Sequence, residues 1–262
     1  MCSSDLKRPF MRPALFRDRN LSAGVIFSVV AFITLYASLA LQPPYLQDLM
    51  NYPVLTAGLV MGPRGVGTMI GTLVVGRFVG KVDTRLLLAI GLGFTAWAFY
   101  VMTGWTPDVS EGEIIVTGLV QGAGFGTLFV PMSAVTLSTL APEDRADGAS
   151  IFSLSRSIGS SVGISAFTAL LTTNTEINHA DISAYVTPVN RAFENPAVGQ
   201  FLSPLTDAGR AALDALITQQ AQVIAYIDDY KLLLIATLAL FGLLVIFKKS
   251  GGSPGHAAAV EG

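Results

Sequence analysis

An all-α, polytopic membrane protein, folded as one bundle of six transmembrane helices, is the fold class this sequence predicts. Three observations predict it. Charged residues make up 13% of the 262 positions, about half of the roughly 25% found in a soluble domain. Hydrophobic residues make up 52%, and the mean hydropathy is +0.58. The charges also crowd into short segments separated by apolar runs of about twenty residues, the length of helix that crosses a bilayer core. A net charge of −2 gives no reason to expect nucleic-acid binding, and the lipid bilayer is the expected surroundings.

The predicted spans are Leu21–Leu41, Val54–Gly76, Leu86–Gly104, Ile114–Leu140, Gly148–Thr172 and Tyr230–Phe247. The chain then divides into an N-terminal segment 1–20, spans one to five over 21–172, an outer segment 173–229, span six at 230–247 and a tail 248–262. The first apolar run is too long for a secretory h-region and ends in "LQPPYLQ" rather than in a small-residue cleavage site. "MCSSDL", residues 1–6, resembles a translated sequencing adapter, so the native reading is expected to begin near Lys7.

The expected orientation follows from the basic residues. With both termini in the cytoplasm, inside segments hold Lys7, Arg8, Arg12, Arg17, Arg19, Arg77, Lys81, Arg85, Arg145, Lys248 and Lys249, whereas outside segments hold only Arg191, Arg210 and Lys231. Positive charge collects on the cytoplasmic side of helical membrane proteins. The expected location is a membrane that the chain crosses several times.

Each connection has its own chemistry. Asn20 is an acceptable N-cap for the first span. "QPPYLQDLMNYP" is expected to turn tightly, since consecutive prolines interrupt a helix. "APEDRAD" places proline and acids where the next helix begins. The first half of 173–229 has turn residues at Asn174, Asn178, Pro188, Asn195, Pro196 and Pro204. Asp207–Ile227 reads as an amphipathic helix with Ala212, Leu213, Leu216, Ile217, Ala221 and Ile224 on one stripe.

Enzyme chemistry finds little support. "GSSVG" (Gly159–Gly163) fits a nucleophile pattern, but that motif needs a strand-to-helix elbow and a histidine base. It lies in a predicted span, and the chain's two histidines, His179 and His256, are far from it. Gly159 and Gly163 read better as a small-residue packing face. Two scattered histidines and a single cysteine, Cys2, offer no metal-ligand spacing. No cofactor is expected.

The glycines and one arginine carry more. Gly58, Gly62, Gly67, Gly71, Gly76 and Gly80 recur along span two, and Gly118, Gly122, Gly124 and Gly126 precede Pro131 in span four. Such helices approach their neighbours closely. Arg64 sits inside span two, where a positive charge costs at least about 2.5–3.5 kcal/mol and therefore faces a partner or a water-filled cavity. Pro63 beside it leaves the carbonyl of Leu59 without its helical partner. With no carboxylate inside any predicted span, Arg64 is expected to meet backbone carbonyls and hydroxyls such as Thr68 or Thr34, or a partner on chain not present here. Arg156, nearer a span end, is expected to snorkel in part and to make an interhelical or gating contact.

These motifs together resemble, in order and spacing, the C-terminal half of the fourteen-span drug:proton antiporters of the major facilitator superfamily, the EmrB/QacA type. The stretches that carry the resemblance are "PALFRDRNLSAG", "LQPPYLQDLMNYPVLTAGLVMGPRG", "GRFVGKVDTR", "GLVQGAGFGTLFVPM", "APEDRADGASIFSLSRSIGSSVGIS" and "QQAQVIAYIDDYK". The resemblance implies a six-helix half of a major facilitator fold, rocking against a missing N-terminal half around a central site. It implies a substrate pathway near Arg64, Pro63, Gly122, Gly126 and Pro131. It also implies a cytoplasmic turn at Gly76, Gly80, Lys81, Asp83 and Arg85, with Val79 and Val82 departing from the family pattern and weakening the latch, and with Arg156 in a gating role. The partners implied are a small amphipathic substrate and protons, with a periplasmic adaptor as a further candidate. The protonatable carboxylates of the family are expected mainly in the missing half. The alternative is a complete six-span protein serving as a structural or interaction module through residues 173–229.

Overall fold

The computed structural model describes residues 18–186, 202–203 and 205–244. Six long helices account for nearly all of them: α1 (Arg19–Pro44), α2 (Val54–Phe78), α3 (Thr84–Met102), α4 (Glu111–Leu137), α5 (Arg145–Ala184) and α6 (Asp207–Leu244). No β-strand occurs among the described residues, only an isolated bridge between Val79 and Val82. The predicted fold class is the observed one. The turns expected at Pro188, Asn195, Pro196 and Pro204, the basic flanks at 7–17 and 248–249, Arg191, Cys2 and His256 lie outside the described residues.

Four helical stretches, Asn20–Leu49, Val54–Phe78, Thr84–Met102 and Glu111–Leu137, are long and apolar enough to cross a membrane. α5 and α6, 40 and 38 residues long, are less apolar along their described lengths. Ser and Thr dilute α5, and α6 carries Asp228, Asp229 and Lys231 midway.

Several local expectations change. The N-cap of α1 is Asp18, whose carboxylate accepts from the Leu21 amide at 2.9 Å; Asn20 lies within the helix and is buried. Asp18 also accepts from the Thr139 hydroxyl at 2.8 Å, joining the start of α1 to the α4–α5 connection. Both bonds end on the same oxygen, Asp18 Oδ1, and a charged acceptor strengthens each of them.

Pro43 and Pro44 do not turn the chain; they lie inside α1, which continues into a π-helical segment, Tyr45–Leu49. Pro removes its own amide and presses its ring on the preceding turn. The helix nonetheless continues, and just beyond the prolines it widens to i→i+5 bonding, where the Met50 amide donates to the Tyr45 carbonyl at 3.3 Å. The reversal comes later, at Asn51 (φ 55) before Pro53.

The outer segment also differs. α5 runs through Asn174 and Asn178 to Ala184, and the amphipathic stretch from Asp207 continues without a break into the last apolar run. The Asn side chains are overridden by packing between the two helices, where His179 Nε2 lies 3.0 Å from Asp214 Oδ1.

The helices meet mainly as α2 on α4, α1 on α5 and α3 on α4, with α6 set against α5, α3 and α1. In the first two pairs the contacts advance in the same direction along both chains, so the pairs are parallel. One apolar core, including Phe27, Leu41, Tyr45, Leu92, Phe99, Trp105 and Tyr230, runs through the bundle.

Candidate functional site

The site is built on α2, where it crosses α4. A side chain at Gly122 would strike the Arg64 carbonyl, one at Gly126 the Thr68 carbonyl, one at Gly67 the Leu119 carbonyl and one at Gly71 the Ala123 carbonyl. Glycines from both helices thus bring backbone onto backbone, the approach that small residues permit in lipid. What faces Gly122 and Gly126 is the α2 backbone, and Pro131 is buried farther along α4.

This close approach fixes Arg64. Its Cβ lies opposite Gly118, 3.7 Å from where a Cβ would stand. The side chain is 6% exposed and reaches α1: Nη1 donates to Gln42 Oε1 at 2.8 Å and Nη2 to the Ser38 hydroxyl at 2.7 Å. Its Cζ stands 5.7 Å from the centroid of the Phe125 ring on α4, a cation–π distance. The planar fork serves two acceptors one helical turn apart, Ser38 and Gln42. The expected hydroxyls are otherwise engaged: Thr68 donates to the carbonyl of Arg64 itself at 3.0 Å, and Thr34 to Ala31 at 2.9 Å. Pro63 is half-buried beside Arg64.

Sequence reasoning missed Ser38, Gln42 and Phe125. Their signal was present, since Ser38 and Gln42 are polar residues four apart in an apolar run, but Gln42 was assigned to the turn at the prolines.

A second cluster lies where α1, α3 and α6 meet. Tyr45 is its hub, with ring centroids 5.6 Å from Trp105, 5.2 Å from Tyr226 and 6.5 Å from Tyr230. The Tyr45 hydroxyl donates to the Thr106 carbonyl at 3.0 Å. The Tyr230 hydroxyl and Trp105 Nε1 are buried without a hydrogen-bond partner among the described residues. Next to Tyr230, Asp229 is 0% exposed, and neither of its carboxyl oxygens has a partner among the described residues. Asp229 is thus a buried acid that the sequence reading did not single out. Asp229 escaped notice because it precedes the last apolar run by one residue.

Outside these clusters, an open cleft of about 310 Å³ lies between the end of α1, α5 and α6, with Asp48, Glu176 and Tyr226 on its walls.

The turn residues lie together at the other end. Gly80 has φ +84, the left-handed conformation that glycine adopts freely. The Lys81 and Val82 amides both donate to the Phe78 carbonyl, at 3.0 and 3.1 Å. Asp83 caps α3 by accepting from the Arg85 amide at 3.0 Å. Lys81 and Gly76 are exposed, and a side chain at Gly76 would meet nothing. Arg156 lies apart from this turn, exposed on α5. Gly159 and Gly163 face the α1 backbone at Val29 and Ile33. Among the described residues no group of His, Cys, Asp and Glu could hold a metal ion.

Four helices long and apolar enough to cross a membrane, joined through glycine-packed parallel pairs around a buried arginine, define a polytopic membrane bundle. A profile of the Major Facilitator Superfamily matches residues 4–175, and the chain belongs to that superfamily. It is homologous to multidrug export proteins. The multidrug export protein EmrB of Haemophilus influenzae is 28% identical over 242 residues, covering 91% of this chain and 46% of that protein. EmrB of Escherichia coli K12 is 27% identical, covering 94% and 49%. The fatty acid resistance protein FarB of Neisseria gonorrhoeae is 28% identical, covering 83% and 43%. The chain thus spans about half the length of the curated relatives it matches. Among solved structures, a bacterial homolog of the human lysosomal transporter Spinster, inward-facing and unoccupied, superposes with a TM-score of 0.66 at 15% identity. It covers 97% of this chain and 54% of that one, a likeness of fold. The superfamily is one of transporters rather than enzymes, and its members are multi-pass membrane proteins.

Proposed function

We propose that this chain is the C-terminal half of a bacterial inner-membrane exporter that moves drugs or other amphipathic small molecules outward in exchange for protons, with both termini cytoplasmic. The observation that carries this reading is Arg64, a buried cation whose hydrogen-bond partners among the described residues, Ser38 and Gln42, are neutral. Its charge is hydrogen-bonded but not cancelled, so it remains available to an anionic group or a dipole in a pathway.

Two outer faces support the same reading. On α2, Gly58, Gly62, Gly65 and Gly76 face nothing within the bundle, which leaves room for another helix to approach. On α5, Ser153, Arg156, Ser157 and Ser161 are exposed and fall on one stripe of the helix. A charged stripe is costly against lipid and suits a cavity shared with a second bundle. Six membrane crossings, with α5 and α6 extending beyond the bilayer on the outer side, fit this arrangement. The turn from Gly76 to Arg85 then faces the cytoplasm at the closing end. The homology to exporters supports a small-molecule substrate, and an outer extension of α5 and α6 is the surface on which an adaptor would dock.

The test begins at the gene. Sequence upstream of the Lys7 codon should continue as an open frame with further hydrophobic spans; an in-frame stop beside a ribosome-binding site overturns the half-transporter reading. Everted vesicles containing the full product should then show drug-dependent proton movement. Drug transport that leaves the pH gradient unchanged rejects proton exchange.

A further inference from the structure

We infer that Asp229 is a proton-binding site of this half, reached from the outer cleft. This deepens the proposed proton exchange and rests on that reading for its role in transport, though not for its chemistry.

The argument starts from enclosure. Asp229 is 0% exposed, with no hydrogen-bond partner for either oxygen among the described residues. An ionised carboxylate in such a place lacks both solvation and compensation, so the enclosed geometry accommodates the neutral acid. The cost falls when water or a cation gains access, which makes the group suited to taking up a proton in one conformation and releasing it in another.

The groups around it fit this role. On α6 itself, Asp228 is engaged by Lys231 at 3.0 Å, and Tyr226 and Tyr230 lie within electrostatic reach of Asp229. From the π-helical segment come Tyr45, beside both tyrosines, and Asp48, which faces Tyr226. Glu113 of α4 acts on Tyr45. Glu176 of α5 shares the cleft with Tyr226, and His179 of α5 pairs with Asp214. α3 offers Tyr100, which is exposed, and Arg85 at its other end.

A route is present as well. The cleft of about 310 Å³ carries Asp48 and Glu176 at its walls and ends on Tyr226, one helical turn before Asp229. Two surface carboxylates at the mouth raise the local proton concentration. Deprotonation would leave an unpaired negative charge inside the junction of α6 with the aromatic cluster, which entry of water or a cation relieves.

The test uses infrared difference spectra of the purified 262-residue chain in lipid nanodiscs, between acidic and alkaline pH. A carbonyl band of a protonated buried carboxyl should disappear at alkaline pH, be missing in Asp229→Asn and persist in Asp228→Asn. In a Trp97→Phe background, Trp105 is the remaining indole, and its emission should titrate together with that band. Absence of the band in the wild type, or its persistence in Asp229→Asn, overturns the proposal. Where Asp229→Asn does not fold, Asp229→Glu decides: the band moves if this residue carries the proton and stays if it does not. In vesicles holding the full transporter, Asp229→Asn should lose at least tenfold in pH-driven export while retaining downhill drug movement. A titrating Asp229 in a transporter that moves no protons would leave the site standing and reject the exchange mechanism instead.

Discussion

The two parallel helix pairs of the bundle are bound by the same small residue in different ways. Between α2 and α4 the glycines come from both partners, Gly67 and Gly71 on one side and Gly122 and Gly126 on the other, each against a backbone carbonyl. Between α1 and α5 they come from α5 alone, where Gly159 and Gly163 meet Val29, Phe32 and Ile33, and a hydroxyl pair, Ser28 and Ser155, lies 2.7 Å apart. The first seam interlocks and permits no displacement without collision. The second is one-sided and tied by a hydrogen bond that can be exchanged for another. Arg64 belongs to the interlocked seam, which keeps its guanidinium at a fixed height, whereas Arg156 rides on the helix of the adjustable one.

The largest effect should come from filling the interlocked seam. Gly122→Val would drive a side chain into the Arg64 carbonyl, which cannot rotate away, and should cost about 3 kcal/mol or more. Unfolding of the purified chain, followed by circular dichroism in detergent, measures it. Gly163→Val should cost about 1–3 kcal/mol in the same assay, because the Ile33 carbonyl stands 2.7 Å from where its Cβ would be, farther than the Arg64 carbonyl does at Gly122. A larger loss at Gly163 than at Gly122 would break the comparison.

Arg64→Met tests what the arginine contributes to folding. It leaves Gln42 buried without its partner, at a cost of about 2 kcal/mol, while Ser38 retains its bond to the Leu35 carbonyl at 3.1 Å. Adding Gln42→Leu should recover most of that loss, yet export by the full transporter should stay abolished. Export at wild-type level and equal abundance would remove Arg64 from the pathway. Ser155→Ala should cost about 1 kcal/mol or less, the tether being one neutral hydrogen bond. The smallest effect is expected at Gly62→Ala. Nothing within the bundle opposes a side chain there, so helix propensity should stabilise the isolated chain by about 0.5–1 kcal/mol. A loss of export in the full transporter without loss of abundance would show that another helix uses that groove.

Much of this architecture was legible from hydropathy. The apolar runs located α1 to α4 within a few residues, since in lipid every backbone group must bond within its own helix. The lengths of α5 and α6 were not legible, because their outer turns are polar and are held by each other rather than by lipid. The π turn after Pro43 and Pro44 was hidden for a related reason: proline forbids an α-helical bond but not a wider one. At the candidate site the sequence singled out Arg64 by cost alone. Its partners depend on how α1 lies across α2, which no local pattern encodes. Asp229 was passed over because burial there comes from tertiary contact at the edge of an apolar run.

The π turn at Tyr45–Leu49 amounts to one residue more than an α-helix would use over the same rise. Removing a single residue there would close the turn into regular helix and rotate everything beyond it by about 100°. Tyr45, the first residue of the turn, would stay with α1 and its ring partners, while Met50, Asn51 and Tyr52 would leave their present bearing. One inserted residue thus sets the direction in which the chain reverses into α2, and the length of this short stretch is under tighter constraint than its composition.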